Sequence, residues 1–314
     1  MDFTFLFLGL AGLWFGTEVT IRGAIAVANR YGVSEFIVGV VILSIGSDLP
    51  ELAVAVDAGL KNLAGGSYSD VVVGTALGSS LGQIGFVLGL VGLLVYLTLP
   101  RAIVYRHGSM LLAAVGLLAL LGHDGKVTFI EGLALLLFYA VYLVALLTEV
   151  NGKDAEKRTV ALPVFRSLLY LVVGLAILVG SAELTVSSAV NVARSLGLSD
   201  ALVAILLIGL GSSLPELTIS VATALKRHKG MSVGNLIGST VFDLLVPIGA
   251  AAVIAPLSFD EGMLRFEVPY LAAVTAVVLY FFIRERGIQR WEAAVIFALY
   301  VIYALIKLTA AFAG

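Results

Sequence analysis

The chain has 314 residues, of which 60% are hydrophobic and only 13% are charged. Soluble domains carry about 25% charged residues, so most of this chain is expected to face lipid or a lipid-buried core. The absence of cysteine excludes disulfide and thiolate chemistry, and a net charge of −2 indicates no nucleic-acid partner. The composition therefore predicts an integral membrane protein with the lipid bilayer as its surroundings.

Ten apolar segments, each about 20 residues or longer, are separated by charged and turn residues, as expected of transmembrane helices. Their predicted bounds are residues 3–28, 36–60, 71–98, 102–122, 128–149, 163–193, 200–225, 232–257, 267–284 and 291–312. The first segment lacks a basic leader and is predicted to be a span rather than a cleaved signal peptide. No polar stretch is long enough for a soluble domain, so an all-α membrane protein without a separate catalytic module is expected.

The two halves of the chain match one another. "GSDLPEL" at 46–52 corresponds to "GSSLPEL" at 211–217, an offset of 165 residues. "GTALGSSLGQIG" at 74–85 corresponds to "GNLIGSTVFDLL" at 234–245, an offset of 160 residues. A repeat with five spans reverses its orientation in the membrane. We therefore predict one transport domain made of two inverted five-helix repeats, residues 1–149 and 163–314, joined by a linker at 150–162.

The basic residues test this ten-span topology, because they concentrate in cytoplasmic loops. If the two termini share one side of the membrane, that side holds five basic residues, and the other side holds the remaining fourteen of the 19. The five are Lys61, Lys126, Arg194, Arg265 and Lys307. We therefore predict a cell-membrane protein with both termini outside and the 150–162 loop in the cytoplasm.

Each matching heptad places a proline and a glutamate inside an apolar run, as Pro50 and Glu51 in the second span and Pro215 and Glu216 in the seventh. Proline removes one helical hydrogen bond, so both spans are predicted to bend or open near the membrane centre. Opened carbonyls at membrane depth are tolerated only where they line a cavity or bind something. A buried carboxylate is costly there and functional by default, so a cation is the natural ligand.

Polar residues at helical spacing extend this pattern to four short faces. The predicted metal ligands are Ser44, Ser47, Asp48 and Glu51 on the second span, Ser79 and Gln83 on the third, Gly209, Ser212, Ser213 and Glu216 on the seventh, and Ser239 and Asp243 on the eighth. Such oxygen ligands suit hard cations such as Ca²⁺ and Na⁺. The three histidines are predicted in or near loops, which disfavours zinc and copper.

A structural role is the competing interpretation of several of these residues. A lone serine or threonine in a membrane helix usually bonds its own backbone, so any one of the hydroxyl residues could be structural. Glu18 and Glu183 form a further symmetric pair, on the first and sixth spans. Their role stays open between a structural hydrogen bond near a helix end and a part in function.

These residues resemble the calcium/cation antiporter family, the Na⁺/Ca²⁺ and H⁺/Ca²⁺ exchangers, and in particular its prokaryotic ten-helix members. "GSSLPEL" (211–217) is close to the family pattern G-T-S-L-P-E, and "GNLIGSTVFD" (234–243) to G-N-x-x-G-S-N-x-x-[DN]. The resemblance covers nearly the whole chain. It implies Ca²⁺ bound between Glu51 and Glu216, with the carbonyls of Ser47 and Ser212 helping.

The resemblance also implies flanking Na⁺ sites and a transport mechanism. The Na⁺ sites correspond to Ser44, Ser47 and Ser79 on one side and to Gly209, Ser212 and Ser239 on the other. Access to them is switched in the family by the first and sixth helices, which slide across the core. A secondary active antiporter that works as a monomer, without a cofactor and without enzyme activity, is therefore expected.

Three positions depart from the family pattern. Asp48 stands where serine is usual, Thr75 where asparagine is usual, and Gln83 where asparagine or aspartate is usual. Asp48 raises the number of carboxylates to four, and these cannot all stay ionised without a cation because like charges repel, which favours proton coupling. The proton-coupled branch, however, typically carries a G-N-x-x-E pattern that is missing here.

We therefore expect Na⁺/Ca²⁺ exchange, with H⁺/Ca²⁺ exchange at the same site as the alternative. A passive cation channel and an intramembrane hydrolase are less favoured. The intramembrane aspartyl proteases carry a GxGD pattern, and this sequence contains none.

Overall fold

The computed structural model describes residues 2–149, 163–195, 211–258, 262–285 and 287–313, and these fold almost entirely into helices, as predicted. The helices of the first half are α1 (Asp2–Tyr31), α2 (Glu35–Ile37), α3 (Ser44–Ser47), α4 (Leu49–Leu63), α5 (Ser69–Leu81), α6 (Leu88–Leu94), α7 (Arg101–Leu121) and α8 (Phe129–Glu149). Those of the second half are α9 (Val164–Ser195), α10 (Leu214–Leu225), α11 (Lys229–Ile254), α12 (Val268–Glu285) and α13 (Arg290–Ala313). In the same described ranges, three wider π-helical segments continue their neighbours: π1 (Val38–Leu43), π2 (Gly82–Val87) and π3 (Met263–Glu267).

Within these ranges, eight helices are long and apolar enough to cross a membrane, and a bent pair raises the number to nine. The bent pair joins Glu35–Ser47 to Leu49–Leu63 at an angle of 47°. These nine coincide with nine of the predicted spans. The seventh predicted span is represented by α10 alone, because residues 196–210, with the candidate ligand Gly209, lie outside the described residues. The 150–162 linker and Gly314 lie outside them too.

The second span breaks at Asp48, where φ is −91° and ψ is 2°. Ser213, which precedes α10, has nearly the same backbone, with φ −92° and ψ 12°. Pro50 and Pro215 lie in the first turn of the helices that follow, α4 and α10. Helix amides in that turn have no intrahelical partner, so proline fits there without loss. The predicted bend of the second span is therefore present, but Pro50 begins a new helix instead of kinking a continuous one.

Helices α1 and α9 pack against each other along most of their length through glycines of α1. As numbers rise along α1 they fall along α9, so the pair is antiparallel. The contacts are Gly9 with Thr185, Gly16 with Leu178, and Gly23 with Leu171. A Cβ atom on Gly16 would lie 2.7 Å from the backbone nitrogen of Leu178, so the two backbones touch almost directly. Small residues permit this close approach in membranes, where helices gain stability from packing.

Helix α11 is the centre of the fold, and 78% of its most apolar stretch is buried. It contacts α2, π1, α4, α5, α7, α8 and α10. Two short ladders also tie the halves together. Strand β1 (Leu97–Thr98) pairs with β4 (Gly287–Ile288), and β2 (Lys126–Val127) pairs with β3 (Leu257–Ser258), both antiparallel. Each ladder joins a loop of the first half to a loop of the second.

Candidate cation site

Four acidic side chains gather where α3, α4, α10 and α11 meet. Asp48, Glu216 and Asp243 are at most 1% exposed, and Glu51 is half-buried. The carboxylate of Glu216 lies beside Asp48 and the hydroxyl of Ser47. Glu51 and Glu216 occupy the first turns of α4 and α10, where the positive end of the helix dipole favours a negative charge. The breaks in the spans therefore place two acids at helix N-termini inside the membrane core.

Asp243 is held from the third span. Its Oδ2 atom accepts hydrogen bonds from the Ser79 hydroxyl and from Nε2 of Gln83, the latter at 2.9 Å. Thr240 in turn donates to Oε1 of Gln83, also at 2.9 Å. Sequence reasoning missed Thr240, although it lies one turn before Asp243 on the same helix. The network leaves Asp243 Oδ1 turned away from these donors and without a hydrogen-bond partner among the described residues.

Several other oxygens around these acids are buried and have no hydrogen-bond partner in the described part of the chain. They are Oδ2 of Asp48, Oε2 of Glu51, both carboxylate oxygens of Glu216, and the hydroxyls of Ser213 and Ser239. A buried polar group left unsatisfied costs about 1–3 kcal/mol, so such a cluster calls for a ligand. All of these atoms are oxygens, which hard cations prefer.

The serines of the second and seventh spans were also predicted to be ligands. The Ser44 hydroxyl donates to the Val40 carbonyl, which agrees with the structural interpretation of a lone serine. Ser47 contacts the Ser44 carbonyl at 3.2 Å and Oδ1 of Asp48 at 3.3 Å. Ser212 is half-buried in the turn before α10. No three acidic or histidine side chains of the described ranges form a closed metal cage, so hydroxyl and carbonyl oxygens would have to complete the coordination of a cation.

The two matching glutamates are buried to different extents. A cavity of about 10 Å³ lies between α4, α5 and α11, and Glu51, Thr75 and Asp243 supply its polar lining. A cavity of this size has room for about one water molecule. Glu216 and Asn235, the residues that match Glu51 and Thr75 in the other half, are fully buried. Glu51 is therefore partly exposed beside α4 and α5, whereas its counterpart Glu216 beside α10 is buried.

One placement made from the sequence was wrong. His107 was expected in or near a loop, yet it is 1% exposed within α7. Its ring lies 4.5 Å from that of Phe36, and its Nδ1 atom lies 3.3 Å from the Tyr142 hydroxyl. The predicted span 102–122 in fact contains His107, and the helix, which begins at Arg101, places it in its second turn against aromatic neighbours.

Comparisons with known proteins identify the family and the fold of the chain. The family described as "Sodium/calcium exchanger protein" matches residues 1–148 and 166–309. The chain is 30% identical to an uncharacterized membrane protein of Methanocaldococcus jannaschii, over 95% of both chains. It is 25% identical to the sodium/calcium exchanger MaX1 of Methanosarcina acetivorans, over 98% of both. A structure of the sodium-calcium exchanger NCX_Mj soaked with Na⁺ and Ca²⁺ matches with a TM-score of 0.82 and 28% identity, over 96% of both chains. The chain belongs to the sodium/calcium exchanger protein family.

Proposed function

We propose that this protein is a secondary active antiporter that exchanges Ca²⁺ for Na⁺ across the cell membrane by alternating access. The observation that carries the proposal is the cluster of buried, unpartnered carboxylate and hydroxyl oxygens at the break in the second span and the start of α10. Acidic side chains in a membrane interior are costly and mark ion pathways, and a bound cation would satisfy many of these acceptors at once. MaX1 and NCX_Mj, which match nearly the whole chain, are both named sodium/calcium exchangers.

In this proposal Ca²⁺ binds between Glu51 and Glu216, next to Asp243. Ser47, Ser212 and their carbonyls complete its coordination, and Na⁺ ions occupy flanking positions that include Ser79 and Ser239. Asp48 adds a further carboxyl group beside Glu216, so the site offers a cation more oxygen ligands than two acids would provide. The transported ions serve as substrates, and the protein needs no cofactor and works as a monomer.

The β-ladders support the proposal of ten spans. Strands β1 and β4 are paired, so their loops lie on the same side of the membrane and an even number of spans must separate them. Five complete spans lie between them in the described ranges, namely α7, α8, α9, α11 and π3–α12. A sixth crossing is therefore required, and α10 with the residues before it can supply it. The β2–β3 ladder leads to the same requirement independently.

Ten spans would divide into two inverted repeats of five. The near-identical backbone angles at Asp48 and Ser213, which correspond at the 165-residue offset, support this division. The distribution of basic residues then favours both termini outside. We expect a cysteine in place of Lys157 to react with a membrane-impermeant thiol reagent only from the cytoplasm, and one in place of Gly314 only from outside. Reaction of both from one face would contradict the topology.

The proposed exchange is tested by uptake of radiolabelled Ca²⁺ into proteoliposomes. An outward Na⁺ gradient is expected to drive uptake well above that of vesicles with equal Na⁺ on both sides. The second arm replaces the Na⁺ gradient by a proton gradient and identifies H⁺/Ca²⁺ exchange if only that arm is active. Uptake that follows the Ca²⁺ gradient alone, without a counter-ion, would identify a channel and refute the proposal.

A further inference from the structure

Two glutamate–lysine pairs occupy equivalent places in the two halves of the chain. Glu18 corresponds to Glu183 at an offset of 165 residues, and Lys61 corresponds to Lys226 at the same offset. If the halves are inverted repeats, a contact between Glu18 and Lys226 has a symmetry-equivalent contact between Glu183 and Lys61. Each of these contacts would join one repeat to the other.

The structure contains the first contact without the second. Nζ of Lys226 lies in ion-pair contact with Oε2 of Glu18, 208 residues away in the sequence. Glu183 is exposed and has no ion pair among the described residues. Lys61 binds Asp57, one turn earlier on its own helix, at 2.6 Å. Residues that are equivalent in sequence are therefore engaged differently in the two halves.

This difference follows the difference in burial of the two matching glutamates. Lys226 directly follows α10, the helix that begins with the fully buried Glu216. Lys61 lies in the last turn of α4, the helix that begins with the partly exposed Glu51. The ion pair is thus formed at the end of the helix whose acid is fully buried, and it is absent from the helix whose acid is partly exposed.

We infer that Glu18–Lys226 and Glu183–Lys61 are two alternating latches of the exchange cycle. The first closes one side of the site, and the second forms when the first opens and access moves to the other side. This inference rests on the proposed exchange function. Because α1 and α9 are packed together through glycines, a movement that takes Glu18 away from Lys226 carries Glu183 with it.

The modest strength of such an ion pair suits this cycle. The side chains of Lys226 and Glu18 are 37% and 28% exposed, so water weakens their attraction. A partly exposed ion pair shifts an equilibrium by up to about fivefold, which is enough to bias two states without trapping either. We expect Lys226→Met to shift the balance of inward and outward access by no more than that factor, and the neighbouring Lys229→Met to leave it unchanged.

The test uses the absence of cysteine from this chain. Glu18→Cys/Lys226→Cys and Glu183→Cys/Lys61→Cys are each reconstituted and treated with a flexible bifunctional thiol reagent that a reductant can cleave. Cross-linking of either pair is expected to abolish Na⁺-driven Ca²⁺ uptake, and reduction is expected to restore it. Opposite Na⁺ gradients should favour cross-linking of opposite pairs. In the matched control Asp57→Cys/Lys61→Cys the link joins two turns of one helix, so its uptake should be the same before and after cross-linking.

The outcomes separate this inference from the proposed function. A wild-type chain without exchange refutes the function. The latches are refuted if wild type exchanges while cross-linked Glu18→Cys/Lys226→Cys transports as fast as its reduced form. They are refuted equally if a variant with all four cysteines forms both links in one molecule. The cysteine variants could be inactive before cross-linking, and the charge-exchanged variant Glu18→Lys/Lys226→Glu then provides the test. If the pair is a latch, each single substitution shifts the balance between inward and outward access, and the double substitution restores it.

Discussion

Glu216→Gln is expected to abolish Ca²⁺ transport while the protein still folds. Glu216 is fully buried, and neither of its carboxylate oxygens has a hydrogen-bond partner among the described residues. The substitution keeps the shape of the side chain and removes the negative charge that would bind Ca²⁺. Loss of one partner of a buried charge pair costs about 2–5 kcal/mol, so Ca²⁺ affinity should fall at least about 30-fold.

Calorimetric Ca²⁺ binding and Na⁺-driven uptake measure this effect, and size-exclusion chromatography checks that the variant is folded. Glu51→Gln should behave in the same way, because Glu51 lines the cavity beside Asp243. Asp70→Asn is the matched control, since Asp70 also lies in the first turn of a helix but is exposed. Near-normal uptake by Glu216→Gln would remove the central claim about the site.

Gly16→Ala is expected to impair both stability and transport. The new Cβ would lie 2.7 Å from the backbone nitrogen of Leu178 and 2.9 Å from its Cα atom, so α1 and α9 would have to separate. Overpacking of this kind costs about 1–3 kcal/mol of the free energy of unfolding. Exchange should slow as well, because the α1–α9 pair could no longer move as one unit. Thermal unfolding in detergent and vesicle uptake report the two effects.

Gly180→Ala provides the control on the partner helix. No atom lies within 4 Å of the position that its Cβ would take, so the substitution introduces no clash. Alanine also restricts the unfolded chain, which makes the expected change in stability neutral or slightly favourable. Equal destabilisation by both substitutions would show that the close contact at Gly16 has no special importance.

Much of the architecture could be predicted from residue pattern alone. Apolar length predicted the spans, and the paired motifs predicted a bend at the middle of the second one. The acids were found because an unpaired carboxylate is so costly in a membrane that its position is informative. Asp48, Glu216 and Asp243 are indeed buried close together, although the sequence could not reveal that the Gln83 amide reaches Asp243 from another span.

Other features depend on contacts that have no local signature. The π-helical segments π1 and π2 border the site, yet nothing in "VGVVIL" or "GQIGFV" distinguishes them from ordinary helix. The two-residue β-ladders are too short for a periodic pattern. The Glu18–Lys226 pair joins residues 208 positions apart, and only the packing of α1 against α10 brings them together. Such features follow from the assembled bundle.

The two β-ladders have a mechanical consequence. They connect the halves at opposite faces of the membrane, β1–β4 at one face and β2–β3 at the other, and α11 runs between these faces. A pair of halves joined at both faces of the membrane cannot easily open by a hinge motion, because separating the halves at either face would break a ladder. The helices of the α1–α9 pair lie outside both ladders, so we expect them to move mainly by translation along the surface of the joined halves. Such a shear would leave the proposed cation site nearly fixed while its cover moves.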